Sequence, residues 1–258
     1  DLHPGGPAED AIGAPEASAG GLPMGAIVCN FPRPSAADPA LLLHDDVVTL
    51  FHEFGHLLHF LLGGRQRFNA FTTAGELEWD FVEVPSQLFE QWAWDADVLA
   101  RFARHHETGE AIPRDLVERM IAADRVCRAL GYRTQLFYAT LSLDFYRADP
   151  EGFDPVRAMI ETKQRLMPVP HAEGNWFHLQ FEHLVGYSAA YYTYAWSLVI
   201  AKDLESLFSG SLLDTDAARD YAAKILEPGS SRPAAELVED FLGRPYEFGA
   251  FERWLTEV

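Results

Sequence analysis

Apolar and polar positions recur along most of this chain with a helical period. Val47, Leu50, Phe51, Phe54, Leu57, Leu58 and Leu61 fall at one-turn spacings and predict a buried helix starting near His44-Asp45-Asp46 and ending at Gly63-Gly64. The acidic residues at its start supply N-terminal capping chemistry, and the glycine pair supplies the stop. Ahead of it, Met24-Gly25-Ala26-Ile27-Val28-Cys29-Asn30-Phe31 is a short apolar run closed by Pro32, which predicts a strand. Residues 1–23, rich in Gly, Pro, Ala and Ser, read as a loop-rich segment. Helical patterns then dominate, over 80–95, 96–106, 114–129, 132–147, 154–165, 175–183, 187–208, 214–226, 233–243 and 247–256. Pro85 is compatible with the first of these if the regular helix begins only a residue or so before it. The expected fold is therefore mainly α with a small β element before the first long helix. Its organisation is a loop-rich segment over 1–23 and a folded unit over 24–258.

Composition narrows the function classes. With 258 residues, 48% hydrophobic and 13% aromatic, the chain can bury a large core. No run of about 18 apolar residues is present, so a membrane-spanning helix is not expected. The net charge of −19 argues against nucleic acid or an anionic membrane as partner; it reads first as a solvated acidic surface and also suits neutral or cationic ligands. Two cysteines, Cys29 and Cys127, make neither a disulfide framework nor a Cys-based metal site, and fit a reducing compartment. The chain begins Asp-Leu-His-Pro without an initiator Met or a signal pattern, as expected of a processed chain or part of a longer one.

The chemistry concentrates in His52-Glu53-Phe54-Gly55-His56. On a helix, positions i and i+4 share a face, so both imidazoles can reach one Zn²⁺, with Glu53 beside them as a general base for water. A catalytic zinc takes three protein ligands and leaves one position open. Spacing leaves the third ligand open among Glu76, Glu78, Asp80 and Glu83. Asp80 and Glu83 stand at i and i+3, so one could ligate while the other holds a ligand imidazole. His44 and His59 read as helix-surface or loop residues. Trp79, Phe81, Trp92 and Trp94 read as core packing, and Glu90 as structural.

Taken together, His52-Glu53-Phe54-Gly55-His56 and Asp80-Phe81-Val82-Glu83-Val84-Pro85-Ser86-Gln87 resemble the thimet oligopeptidase family of zinc metallopeptidases. That family carries H-E-F-G-H, a loop, then D-F-V-E-x-P-S-Q. The resemblance implies a zincin-type (gluzincin) helical catalytic domain holding one Zn²⁺ on His52, His56 and Glu83. It implies Glu53 as base and Asp80 as the partner of a ligand imidazole. A second stretch, His183-Leu184-Val185-Gly186-Tyr187 through Tyr194, resembles the family's His-Gly-Tyr-rich loop and following helix, one residue shorter than the thimet form. Its form is nearest the mitochondrial intermediate peptidase branch and some bacterial oligopeptidases. By position it implies His183, Tyr187 and Tyr194, with Tyr191 beside them, as contacts for the peptide and its developing oxyanion.

The resemblance covers the whole chain as a C-terminal catalytic portion. It implies hydrolysis of short peptides, with the run Gly25–Phe31 as an edge strand for an extended substrate. Family members usually add a long helical N-terminal region forming the other wall of the substrate channel, which this sequence does not contain. The alternative expectation is a non-catalytic, zinc-bearing helical domain that binds peptides. A larger endoprotease of zincin type is disfavoured by the D-F-V-E-x-P-S-Q stretch. The expected location is cytoplasmic, with an organellar matrix as the other option.

Overall fold

The computed structural model describes residues 22–35, 39–73, 77–208 and 210–257. The first long helix, α1, spans His44–Gly63 and is capped by Gly64. At its start the Asp46 carboxylate accepts a hydrogen bond from the Leu43 N–H at 2.9 Å, so the acidic run does cap this end. After a 3₁₀ turn at Asn69–Phe71 come α2 (Val84–Glu90), a second 3₁₀ turn (Gln91–Trp94) and α3 (Ala96–Phe102). Pro85 sits in the first turn of α2, where its missing N–H costs nothing. The Asp95 side chain receives the N–H groups of Asp97 and Val98 and restarts the chain as α3. Next come α4 (Arg114–Arg125), α5 (Arg128–Arg147) and α6 (Pro155–Leu166), followed by a 3₁₀ turn at Phe177–Leu179 and the four-residue α7 (His183–Gly186). The chain closes with α8 (Thr193–Glu205), α9 (Thr215–Tyr221) running into a π turn (Ala222–Leu226), α10 (Ala234–Leu242) and α11 (Gly249–Thr256).

The expected strand is reduced among the described residues to a single bridge residue, Met24. The run expected to be helical over 175–183 holds only the 3₁₀ turn and the start of α7. Leu179 is exposed there and Phe181 is buried, so no continuous helical face exists to bury. The helix expected to begin at 80 begins at Val84, because residues 79–82 form turns.

Two apolar clusters organise the fold. One joins Phe81, Val84 and Leu88 to Ile200 and Leu204 of α8, and to Ile225, Leu237 and Phe241 near the C-terminus. The other joins Phe137 and Leu141 of α5, Met159 of α6, Phe181 and Tyr191. Each side chain of Leu or Phe size buried this way contributes roughly 1.5–3 kcal/mol. A bidentate ion pair between Arg244 and the buried Asp203, at 2.7 and 2.8 Å, ties the connection before α11 to α8. Residues leading into α8 belong to one cluster and its later turns to the other. The site lies where the two meet.

The buried face of α1 is not its most apolar one. Gly55, His59, Phe60 and Gly63 are buried, whereas Phe54 is 42% exposed. Gly55 explains the choice. A Cβ there would lie 2.6 Å from the Pro85 carbonyl oxygen and 2.7 Å from the Ser86 Cα. Only glycine lets α1 come this close to α2, and the approach turns the histidine face inward. His59, expected at the surface, is therefore 2% exposed, and burial pushes its imidazole down to about 3, with the charge of His56 adding to the shift.

Candidate metal centre

Four carboxylates competed in the sequence for the role beside the two histidines, and the fold separates three of them. Glu78 accepts a hydrogen bond from the Ala234 N–H at 2.8 Å and so caps α10. Asp80 accepts one from the Tyr192 hydroxyl. Glu83 alone reaches the histidines: its Oε2 lies 3.3 Å from His52 Nε2 and 3.1 Å from His56 Nε2. Glu76 lies outside the described residues. Asp80, expected beside a ligand imidazole, instead accepts the hydroxyl of Tyr192, the residue just ahead of α8, because residues 79–82 form turns before α2 begins.

The partner of His52 is Glu90, whose Oε1 stands 2.7 Å from His52 Nδ1. Its position one helical span after Glu83 was visible in the sequence, but only the packing of α1 on α2 brings it to the ring. A carboxylate on the outer nitrogen fixes the tautomer and leaves Nε2 facing Glu83.

Glu83 is 1% exposed and satisfied on every side. Tyr187 donates its hydroxyl to Oε1 at 2.6 Å, and Ser86 donates to Oε2 at 2.9 Å. Burial works against the Glu83 charge, yet hydrogen bonds from His52, His56 and Tyr187 outweigh it and hold the carboxyl well below the usual carboxylate range. Burial also opposes charge on His52, but the Glu83 and Glu90 carboxylates push its imidazole up to about 10. Positive charge is thus electrostatically favoured between these groups. The ligand-capable atoms of His52, His56 and Glu83 lie within 4.8 Å of one another. Two imidazole nitrogens and one carboxylate oxygen, partly open to solvent at the histidines, suit a borderline-soft divalent cation with a position to spare.

The second half of the site comes from residues 183–194. The rings of Tyr187 and Tyr194 are 5.2 Å apart, and His183 lies 5.5 and 5.8 Å from them. Both tyrosines are pushed up, first by burial and then by the Glu83 charge, so they are hydroxyl donors throughout the neutral range. The charge of Glu53 adds to the shift in both. Tyr191 is buried and gives its hydroxyl to Gln135 at 2.9 Å. That makes it a packing residue with a satisfied polar end. Trp79, expected in the core, is 49% exposed and packs edge-on against Tyr187 at 5.3 Å.

An open cleft of about 1200 Å³ runs alongside, lined among others by His52, Glu90, His183, Tyr194, Lys202 and Trp254. No helix among the described residues is long and apolar enough to cross a membrane.

Residues 5–256 match the sequence model of peptidase family M3. The chain is 34% identical to oligopeptidase A of Salmonella typhimurium over 249 residues, which cover 94% of this chain and 36% of that protein. It is 36% identical to the mitochondrial intermediate peptidase of Arabidopsis thaliana over 233 residues, covering 86% of this chain and 32% of the relative. The human mitochondrial intermediate peptidase is 34% identical over 222 residues, covering 86% and 31%. The chain thus spans about a third of the length of these relatives.

Proposed function

The chain belongs to peptidase family M3, and from that premise we propose that its residues 24–258 form a zinc metallopeptidase domain that hydrolyses peptide bonds in short oligopeptides. The observation that carries this reading is the convergence of both histidine Nε2 atoms on one buried Glu83 oxygen, at 3.3 and 3.1 Å. In this reading His52, His56 and Glu83 hold one Zn²⁺, and Glu90 orients His52. Zinc bound there would supply Lewis acidity and lower the pKa of water at the site toward 7.

Glu53 takes a proton from that water and returns it to the leaving amine. Tyr194 donates its hydroxyl as a hydrogen bond toward the oxygen that gains charge during attack, while Tyr187, whose one O–H is given to Glu83, holds that carboxylate beside the site. His183, on the rim of the same aromatic group, contacts the peptide backbone. Extended peptides are the suitable substrates, because an open cleft beside the site receives a chain without secondary structure of its own.

The test is zinc content by elemental analysis, paired with cleavage of a quenched fluorescent peptide of about ten residues, a length suited to an extended substrate. One equivalent of zinc with chelator-sensitive cleavage is the expected result. Absence of zinc overturns the reading. Zinc without cleavage favours the second reading, a zinc-bearing domain that binds peptides without cutting them.

A further inference from the structure

Residues 79–87 and 192–197 are more than a hundred positions apart, yet side chains bond them directly. Thr193 donates its hydroxyl to the Trp79 carbonyl, and Ser197 donates to the Asp80 carbonyl at 2.9 Å. Gln87 returns a bond from α2, donating its amide to the Tyr194 carbonyl at 2.9 Å. Thr193 and Ser197 are wholly buried. The fourth bond, from the Tyr192 hydroxyl to Asp80, is at the surface, where Tyr192 is 39% exposed.

The stretch leading into α8 is a succession of short hydrogen-bonded turns and not a continuous helix. α7 is only four residues long, and Ser188 adopts φ 52°, a left-handed conformation that breaks any helix there. Its place is set by side-chain anchors. Tyr146 and Ser142 of α5 grip the carbonyls of Leu184 and Ser188 on one side. Tyr192 and Thr193 grip the turn before Glu83 on the other. Between those anchors stand Tyr187, bonded to Glu83 at 2.6 Å, and Tyr194.

We propose that Asp80 and Tyr192 form a positioning clamp that keeps the tyrosine-bearing segment 187–194 in register with Glu83. This inference rests on the hydrolytic reading for its kinetic consequence and on the bonding pattern alone for its structural one. Asp80 acts here as an acceptor for a hydroxyl, so its role needs a carbonyl-type oxygen and not a negative charge.

Four variants test this, each compared with the wild-type chain: Tyr192→Phe, Asp80→Ala, the double variant combining these two, and Asp80→Asn. Hydrogen exchange of the 187–194 amides in metal-free protein is the first readout, since it reports local opening without catalysis. Loss of one such bond is expected to speed exchange about tenfold in Tyr192→Phe and Asp80→Ala, no further in the double variant, and not in Asp80→Asn. In zinc-loaded protein the first two variants should lose about tenfold in kcat, with KM within about twofold and metal content unchanged. Asp80→Asn should stay close to wild type, because its amide oxygen accepts the same hydroxyl.

Unchanged exchange over 187–194 in Tyr192→Phe overturns the clamp. Asp80→Asn as impaired as Asp80→Ala also overturns it, assigning the carboxylate an electrostatic role instead. If the wild-type chain cuts no peptide, the hydrolytic reading fails, and the exchange comparison alone decides the clamp.

Discussion

The two halves of the site are built by opposite means. His52, His56, Glu83 and Glu90 stand on two helices whose backbones nearly touch at Gly55, and their mutual distances follow from helix geometry and one missing methyl group. His183, Tyr187 and Tyr194 come from a four-residue helix, a left-handed serine and the first turn of α8, held by hydroxyls reaching across from other elements. The first half is rigid because its scaffold is regular. The second is rigid only as long as its anchors hold. A cluster that is to hold a cation, as proposed, tolerates little displacement, whereas groups proposed to meet a moving substrate oxygen profit from a mounting that can yield. The contrast also predicts different failures: damage to the helical half should show in metal content and stability, and damage to the anchored half in turnover.

The sharpest way to break this comparison is Glu53→Gln. It removes the proposed base while leaving His52, His56 and Glu83 in place. We expect kcat to fall by about 10²–10⁴ with zinc still bound stoichiometrically. Retained turnover would remove Glu53 from the chemistry. Next is Tyr194→Phe, for which loss of one oxyanion donor predicts a fall of about 10² in kcat with unchanged metal content. A kcat equal to wild type would make the ring a packing element like Tyr191.

Gly55→Ala strikes the helical half. Its methyl would sit 2.6 Å from the Pro85 carbonyl oxygen, so α1 and α2 must separate. We expect about 1–3 kcal/mol of destabilisation in thermal or urea unfolding, together with weaker zinc retention. Glu90→Ala should leave the fold intact and weaken zinc affinity by about 10–100-fold, read by competition with a chelator, since His52 loses the carboxylate that orients its ring.

The smallest effect concerns pH in the metal-free protein. The His52 imidazole is pushed up to about 10 from an unfolded value of 6.5. Its contribution to stability is therefore full below about pH 6.5 and lost as pH rises through about 10. Melting temperature measured in chelator should fall across that window more steeply in wild type than in Glu90→Gln, where one cause of the shift is weakened. Parallel curves would show that Glu90 does not support the charge.

The same division explains what the sequence disclosed. His52 and His56 were legible because they fall within one helix, where a period of 3.6 and a short motif carry the geometry; Glu83 was singled out from Glu76, Glu78 and Asp80 by resemblance alone. Most of the helices, the Pro85 start and the Gly64 stop followed from the same local rules, whereas the helix expected over 175–183 did not form and the one expected from 187 begins at Thr193. Local rules did not reveal which face of α1 is buried. The apolar count pointed to Phe54 and Leu57, whereas the steric allowance at Gly55 turns His59 inward. Nor could they separate Asp80 from Glu90 as the partner of His52, because that choice depends on turns at 79–82 and on a tyrosine 112 positions away. Tyr187 and Tyr194 were indicated by resemblance alone, since aromatic residues at helical spacing are ordinarily core. Trp79 looked like core for the same reason and is half exposed.

The bonds joining residues 79–87 to 192–197 also bear on the order in which the molecule assembles. They close loops of 107, 112, 114 and 117 residues, whereas α1 meets α2 across only a few tens of positions. Loop-closure entropy makes the long closures the costlier ones to form early. Thr193→Val should therefore act mainly on the unfolding limb of a chevron plot, and Gly55→Ala on the refolding limb. A ribosome releasing this chain from its N-terminal end would deliver the histidines and Glu83 about a hundred residues before Tyr187, so the helical half has time to fold before the anchored half exists.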